Sequence, residues 1–138
     1  MTENECKKNY LKKYIDYEKA EKRIEFQIEE LRRNKMNPSL NIDGMPHGSN
    51  TRDLSDYISE LDGLERTLLN ARCEKIAVYT EIFTQIEMLN NEKERSVLTF
   101  RYINNYKWER IACEMGYSNR QVSRIHDIAI RHFNIKMS

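Results

Sequence analysis

Two prolines and four glycines in 138 residues leave this chain short of the residues that stop helices. Long stretches run without an internal break, which argues against a turn-rich β fold and for extended helices. Three cysteines, Cys6, Cys73 and Cys113, are odd in number and widely spaced, so they set up no disulfide framework. Cys113 reads as a small packing residue. No apolar run approaches a membrane span, and residues 1–8 lack the apolar core of a secretory leader, so a cytoplasmic location is expected. Net charge is nearly absent too, at +1, and that total says nothing about nucleic acid because the signs are unevenly placed. Residues 1–90 hold 14 Lys or Arg against 17 Asp or Glu, a balance of −3, whereas residues 91–138 hold 9 against 5, a balance of +4. The basic end is the end to search for an anionic partner.

Catalytic and metal-binding patterns are also missing. His47, His126 and His132 have no ligand spacing with one another or with a cysteine, and His126 and His132 read as surface or interface residues. Acidic residues alternate with Lys and Arg along the chain, as solvated helix faces do. No enzyme activity, no metal and no cofactor is expected.

What the chain does have is helical periodicity. Over residues 3–35, Tyr10, Tyr14, Tyr17, Glu21, Ile24, Ile28 and Leu31 recur at steps of four and three, a heptad seam with one charged interruption and no breaker. A matching seam over residues 52–89 runs through Leu54, Ile58, Leu61, Leu64, Leu68, Ala71, Lys75, Val78, Ile82, Ile86 and Leu89. At 1.5 Å per residue the two helices are about 50 and 57 Å long, and near-equal length predicts a long antiparallel, coiled-coil-like hairpin. Leu69, Ile76, Tyr79 and Phe83 fall outside the seam, so self-association, preferably as a dimer, is expected. The connecting loop 36–51 is longer than a hairpin needs and serves as tip packing or a disordered link rather than a nucleotide site, with Thr51 or Asp53 capping the helix that follows.

Residues 91–138 read as a separate three-helix unit. Asn91 followed by Glu94 has the form of a capped helix start, and the helix it opens runs over residues 92–103. Its Val97, Leu98, Tyr102 and Phe100 are expected to pack under Ile111 and Val122, with Trp108 as the largest wedge. Trp108-Glu109-Arg110-Ile111-Ala112-Cys113-Glu114-Met115 forms a short helix that Gly116 ends by taking the left-handed conformation. Ser118-Asn119-Arg120-Gln121 then has the pattern of a capping box that opens a second helix. Along that helix Val122, Ile125, Ala129 and Phe133 share an inner face, whereas Arg120, Arg124, Asp127 and Arg131 lie opposite, with Asn119, Gln121 and Ser123 beside them. Arg pairs bidentately with guanine edges and Asn or Gln with adenine edges, so the outer set suits a major groove. Helix, glycine turn and second helix together make a helix-turn-helix. Arg95 and Arg101 are either solvated or paired with Glu94 and Glu109, and Arg101 alternatively points to DNA.

Glu94-Arg95-Ser96-Val97-Leu98, Arg101-Tyr102-Ile103, Trp108-Glu109-Arg110-Ile111-Ala112, Met115-Gly116-Tyr117-Ser118 and Val122 resemble the fourth region of sigma-70-type sigma factors, which holds the promoter −35 element. With Asp43-Gly44-Met45-Pro46-His47-Gly48-Ser49 added, nearly the whole chain is similar to a family of small phage and prophage transcription regulators. The resemblance implies base and phosphate contacts at Asn119, Arg120, Ser123 and Arg124, with Gln121 adjacent. Two departures stand out. Lys107 occupies the place where such domains carry a capping Ser or Thr, and Asn104-Asn105 replaces a glycine. Lys107 cannot cap, which costs that helix about 1 kcal/mol, and its charge is free to meet a phosphate.

The sequence thus predicts an all-α protein with an oligomerising hairpin (residues 1–90) and a helix-turn-helix domain (residues 91–138) able to fold alone. The expected partner is double-stranded DNA, read at Asn119, Arg120, Gln121, Ser123 and Arg124 and supported by Lys107, Arg131 and Arg101. By resemblance, host RNA polymerase is a further partner. The competing class is a packaging adaptor of the small-terminase type or a coiled-coil assembly protein, and subunit number separates the two.

Overall fold

The computed structural model describes the backbone of residues 2–36 and 50–135, with side chains for 2–34 and 54–135. The expected loop 36–51 and the caps at Thr51 and Asp53 lie outside the described residues or side chains. Every element described is helical: α1 Glu3–Leu11, α2 Lys13–Met36, α3 Asn50–Glu87, α4 Glu92–Leu98, a π-helical turn Thr99–Ile103, α5 Trp108–Met115 and α6 Asn119–His132. The protein is all-α.

Local chemistry accounts for most helix ends. Thr2 opens α1 with a full capping box: its hydroxyl accepts from the Glu5 amide at 3.2 Å, and Glu5 accepts from the Thr2 amide at 3.1 Å. The expected helix over residues 3–35 is present with a bend: a turn at Lys12 divides it into α1 and α2, while the Lys12 amide still donates to the Lys8 carbonyl at 3.0 Å and the Asp16 amide to the Lys12 carbonyl at 3.1 Å. Lys12 keeps right-handed dihedrals, so the bend is slight in backbone terms and no proline or glycine announces it. Asn91 opens α4 by accepting from the Lys93 and Glu94 amides at 2.8 and 3.3 Å. Glu94 does not reach back to complete a box. It is buried and holds His132 Nδ1 at 2.6 Å.

The helix expected over residues 92–103 becomes α4 plus the π-helical turn. Asn104 donates to the Thr99 carbonyl at 3.0 Å, a five-residue step that accommodates one extra residue in the turn. Asn105 takes φ 57°, the left-handed conformation that asparagine tolerates, and so replaces glycine at this corner.

The described chain divides into two compact units. The first combines residues 1–18 with 74–138, and the second is residues 19–73. The division therefore does not follow residue 90. Tyr10, Leu11, Ile82, Ile86 and Leu89 share one buried cluster with Leu98, Tyr102, Ala129, Ile130 and Phe133, which ties α1 and the end of α3 to α4 and α6. Leu98 and Tyr102 were expected under the helix-turn-helix but belong to this cluster. Val97, Ile111, Ala112 and Val122 form a separate cluster, with Phe100 and Trp108 packed against it. Leu98 and Tyr102 lie four residues apart and so share the face that meets α1 and the end of α3.

In the second unit α2 and α3 run antiparallel. Arg72 reaches Glu21 and Glu25 at 3.3 and 2.8 Å, and Arg32 reaches Glu65 at 2.9 Å. Ile24, Ile28, Leu68 and Ala71 form its buried seam, with Leu61 and Leu64 at the margin. Leu54 and Ile58 are more than half exposed, so the α3 seam does not extend to them as expected.

Candidate nucleic-acid interface

The turn between α5 and α6 is built by backbone demands that the sequence meets. Gly116 sits at φ 71°, ψ 30°, and the Tyr117 amide closes the helix end by donating to the Ala112 carbonyl at 3.0 Å. No atom lies within 4 Å of where a Cβ would stand on Gly116, so conformation and not crowding selects glycine. Two residues later Ser118 caps α6: its Oγ accepts from the Gln121 amide at 3.2 Å, and Gln121 Oε1 accepts from the Ser118 amide at 3.0 Å. The start of α6 is thereby fixed from both sides.

Burial then decides which face of α6 is free. Val122, His126, Ala129 and Ile130 are buried within it, and Phe133 just beyond. The inner face differs from the expected one in two places. Ile125 is only partly buried at the edge of the α5 cluster, and His126, expected at the surface, is 5% exposed. Tyr102 Oη lies 2.7 Å from His126 Nε2, and the Trp108 ring meets the imidazole edge-on at 4.9 Å. Burial first, then the Lys8 charge, pulls the His126 pKa down to about 4. Burial pushes the Tyr102 phenol up to about 12. Near neutrality the phenol keeps its proton and donates it to a neutral imidazole, whose Nδ1 faces Asp127 at 3.7 Å. A histidine is thus used as a satisfied polar wedge between α6, α5 and the π-helical turn.

Asn119, Arg120, Gln121, Ser123, Arg124 and Arg131 are all exposed. They occupy one outward band of α6, with Gln121 held back onto Ser118 by the capping box. Arg131 stands at the far end, where its carbonyl accepts from the buried Lys7 Nζ at 3.1 Å. Lys107 is exposed and makes no side-chain cap to α5. Arg101 does not project. It donates to the Tyr106 carbonyl at 3.0 Å and lies flat over Trp108 at 4.3 Å, so the expectation that it points to DNA gives way to a role in holding the corner. Arg95 pairs with Glu92 at 2.5 Å and donates to the Leu89 carbonyl, not to Glu94. Cys113 is exposed and does not pack.

One cation beside the band escaped the sequence reading. Lys93 lies over the Tyr117 ring at 5.4 Å and lines a cleft of about 180 Å³ with Gln121, Arg124 and Ile125. Its place in the first turn of α4 gave no periodic signal. Among the described residues no group of three His, Cys, Asp or Glu is disposed to hold a metal ion, and no helix is long and apolar enough to cross a membrane.

Residues 35–134 match the family described as protein of unknown function DUF1492. The chain belongs to that family. No curated protein and no solved structure matches it.

Proposed function

We propose that the chain is a sequence-specific DNA-binding regulator of transcription in which α6 enters the major groove. The observation that carries this reading is the contrast across α6. An uninterrupted buried face holds the helix down, while Asn119, Arg120, Ser123 and Arg124 stand free in its first turns behind the left-handed Gly116. Those side chains match donor and acceptor patterns of base edges, and the first turns of a second helix are where such motifs make base contacts. Gln121 contributes mainly to the cap in this reading. Lys107 and Arg131 meet phosphates on either side, and Arg101 acts by fixing Trp108. The resemblance to the fourth sigma region supports promoter DNA as the target, phage or prophage genes as the setting and host RNA polymerase as a further contact. Two copies, each supplying one α6, give the affinity that a +4 segment lacks alone. The reading assigns the chain no catalysis and a place in the cytoplasm.

Selection of bound duplexes from a random pool by the purified full chain tests the proposal. A recurrent motif is expected. Arg124→Ala is expected to cost about 1–3 kcal/mol and relax preference at one position, whereas Lys107→Ala weakens all sequences alike and lowers the salt dependence by about one counterion. Failure to enrich any motif at low salt would sink the regulator reading, and a closed ring of many subunits around DNA would favour packaging instead.

A further inference from the structure

The second compact unit carries a groove of about 540 Å³ between α2 and α3, and its charges are arranged in a pattern that fits a copy of itself. Four charged residues mark the corners. Glu25 and Arg72 face each other at one end, 2.8 Å apart, and Arg32 and Glu65 face each other at the other end, 2.9 Å apart. Each helix runs from acid to base, Glu25 to Arg32 and Glu65 to Arg72, with both members of each pair about half exposed. Because the helices are antiparallel, acids occupy one diagonal and bases the other. The floor is apolar, made by Ile28 and Leu68, and Leu69 stands out from it at 61% exposure.

We infer that this groove is the face by which two copies of the chain dimerise, about a two-fold axis lying in the plane of the groove and parallel to the helices. Rotation about that axis carries α2 of one copy over α3 of the other without reversing the ends. Glu25 then meets the other copy's Arg72, and Arg32 meets its Glu65, so all four corners oppose unlike charges. The same rotation sets the other lining acid, Glu29, over Leu69. A two-fold axis across the helices would also match the corners but would bring Glu29 onto its own copy, a like-charge contact that the parallel axis avoids. Stacking by simple translation would set like over like at every corner. The product is a four-helix bundle in which each copy's exposed Leu69 is covered by α2 of the other, against the aliphatic part of Glu29.

Self-association is measured without DNA, so this inference and the regulator reading can fail separately. Sedimentation equilibrium of the full chain is expected to give twice 16.6 kDa, and Leu69→Glu to give the monomer with unchanged helix content. The decisive variant reverses one internal pair, Arg32→Glu with Glu65→Arg. This pair is chosen because Arg72 also serves Glu21, whereas Arg32 and Glu65 bond to each other. The reversed copies are expected to dimerise with themselves, because every corner is again unlike. In an equilibrated mixture with wild type they are expected to form mixed dimers well below the statistical share by native mass spectrometry, since two corners then oppose like charges. A monomeric wild type, a dimeric Leu69→Glu, or free mixing of the two kinds of copy would each overturn the assignment.

Discussion

The two compact units share α2 and α3 yet are held together in different ways. In the first, α1, the end of α3, α4 and α6 enclose side chains such as Leu11, Ile82, Ile86, Leu98 and Phe133, all at 0% exposure. In the second, among the described residues, two helices cover Ile24, Ile28, Leu68 and Ala71, which keep 5–9% exposure each, with ion pairs at the rim. A two-helix layer has no third side, so its seam stays at the margin of solvent and gains from an additional partner. A layer closed on every side needs none. The difference is one of enclosure: α6 is anchored by side chains at 0% exposure, whereas the seam between α2 and α3 keeps a margin of exposure along its length.

The comparison is broken most severely by cutting the closed unit at the boundary that the charge distribution suggested. A fragment of residues 91–138 lacks Tyr10, Leu11, Ile82, Ile86 and Leu89, half of the cluster around Phe133. It is expected to lose cooperative folding altogether, seen as poor amide dispersion in a nitrogen-correlated NMR spectrum. This replaces the expectation of an autonomous domain. Phe133→Ala in the full chain is expected to cost about 3–5 kcal/mol in urea unfolding, while Ile28→Ala in the open unit costs nearer 2 kcal/mol, at the low end for a buried aliphatic truncation. Equal losses would erase the distinction between the units.

Acid sharpens it further. His126 in the closed unit has its folded pKa depressed from 6.5 to about 4, so the unfolded chain binds a proton that the native one refuses. The stabilisation is complete above pH 6.5 and is lost as pH falls through that value toward about 4, by on the order of 3 kcal/mol. Unfolding midpoints followed between pH 7 and 4 are expected to fall for wild type and to flatten at this step in His126→Gln. Gly116→Ala is expected to cost about 1–2 kcal/mol by conformation alone, since the space for a methyl is empty. The smallest effect is a gain. Lys107→Ser supplies the missing cap of α5 and is expected to add about 0.5–1 kcal/mol to the thermal stability of the full chain.

Local signals were the legible ones. Gly116, Ser118 with Gln121, and Asn91 each report a backbone need within four residues, and each acts in the structure as its chemistry requires. The exposed band of α6 was likewise readable, because period and polarity agree there. Three features were not. The turn at Lys12 has no breaker to mark it, and nothing in the composition announces the π-helical turn at Thr99–Ile103. His126 and Arg101 mislead for a shared reason: polar residues are assigned outward by period alone, and only their partners, Tyr102 for one and Trp108 with the Tyr106 carbonyl for the other, keep them in. Such partners are 5–24 positions away and invisible to a helical wheel.

The clasp of Lys7 on the Arg131 carbonyl spans 124 positions of chain. Synthesis proceeds from the amino end, so α1 can meet Ile82, Ile86 and Leu89 first but lacks the part of its docking surface that α6 supplies until residues past Phe133 have been made. The closing contacts of the first unit are therefore the last to be synthesised, and a translation product abandoned before α6 leaves α1 with only the α3 half of its cover.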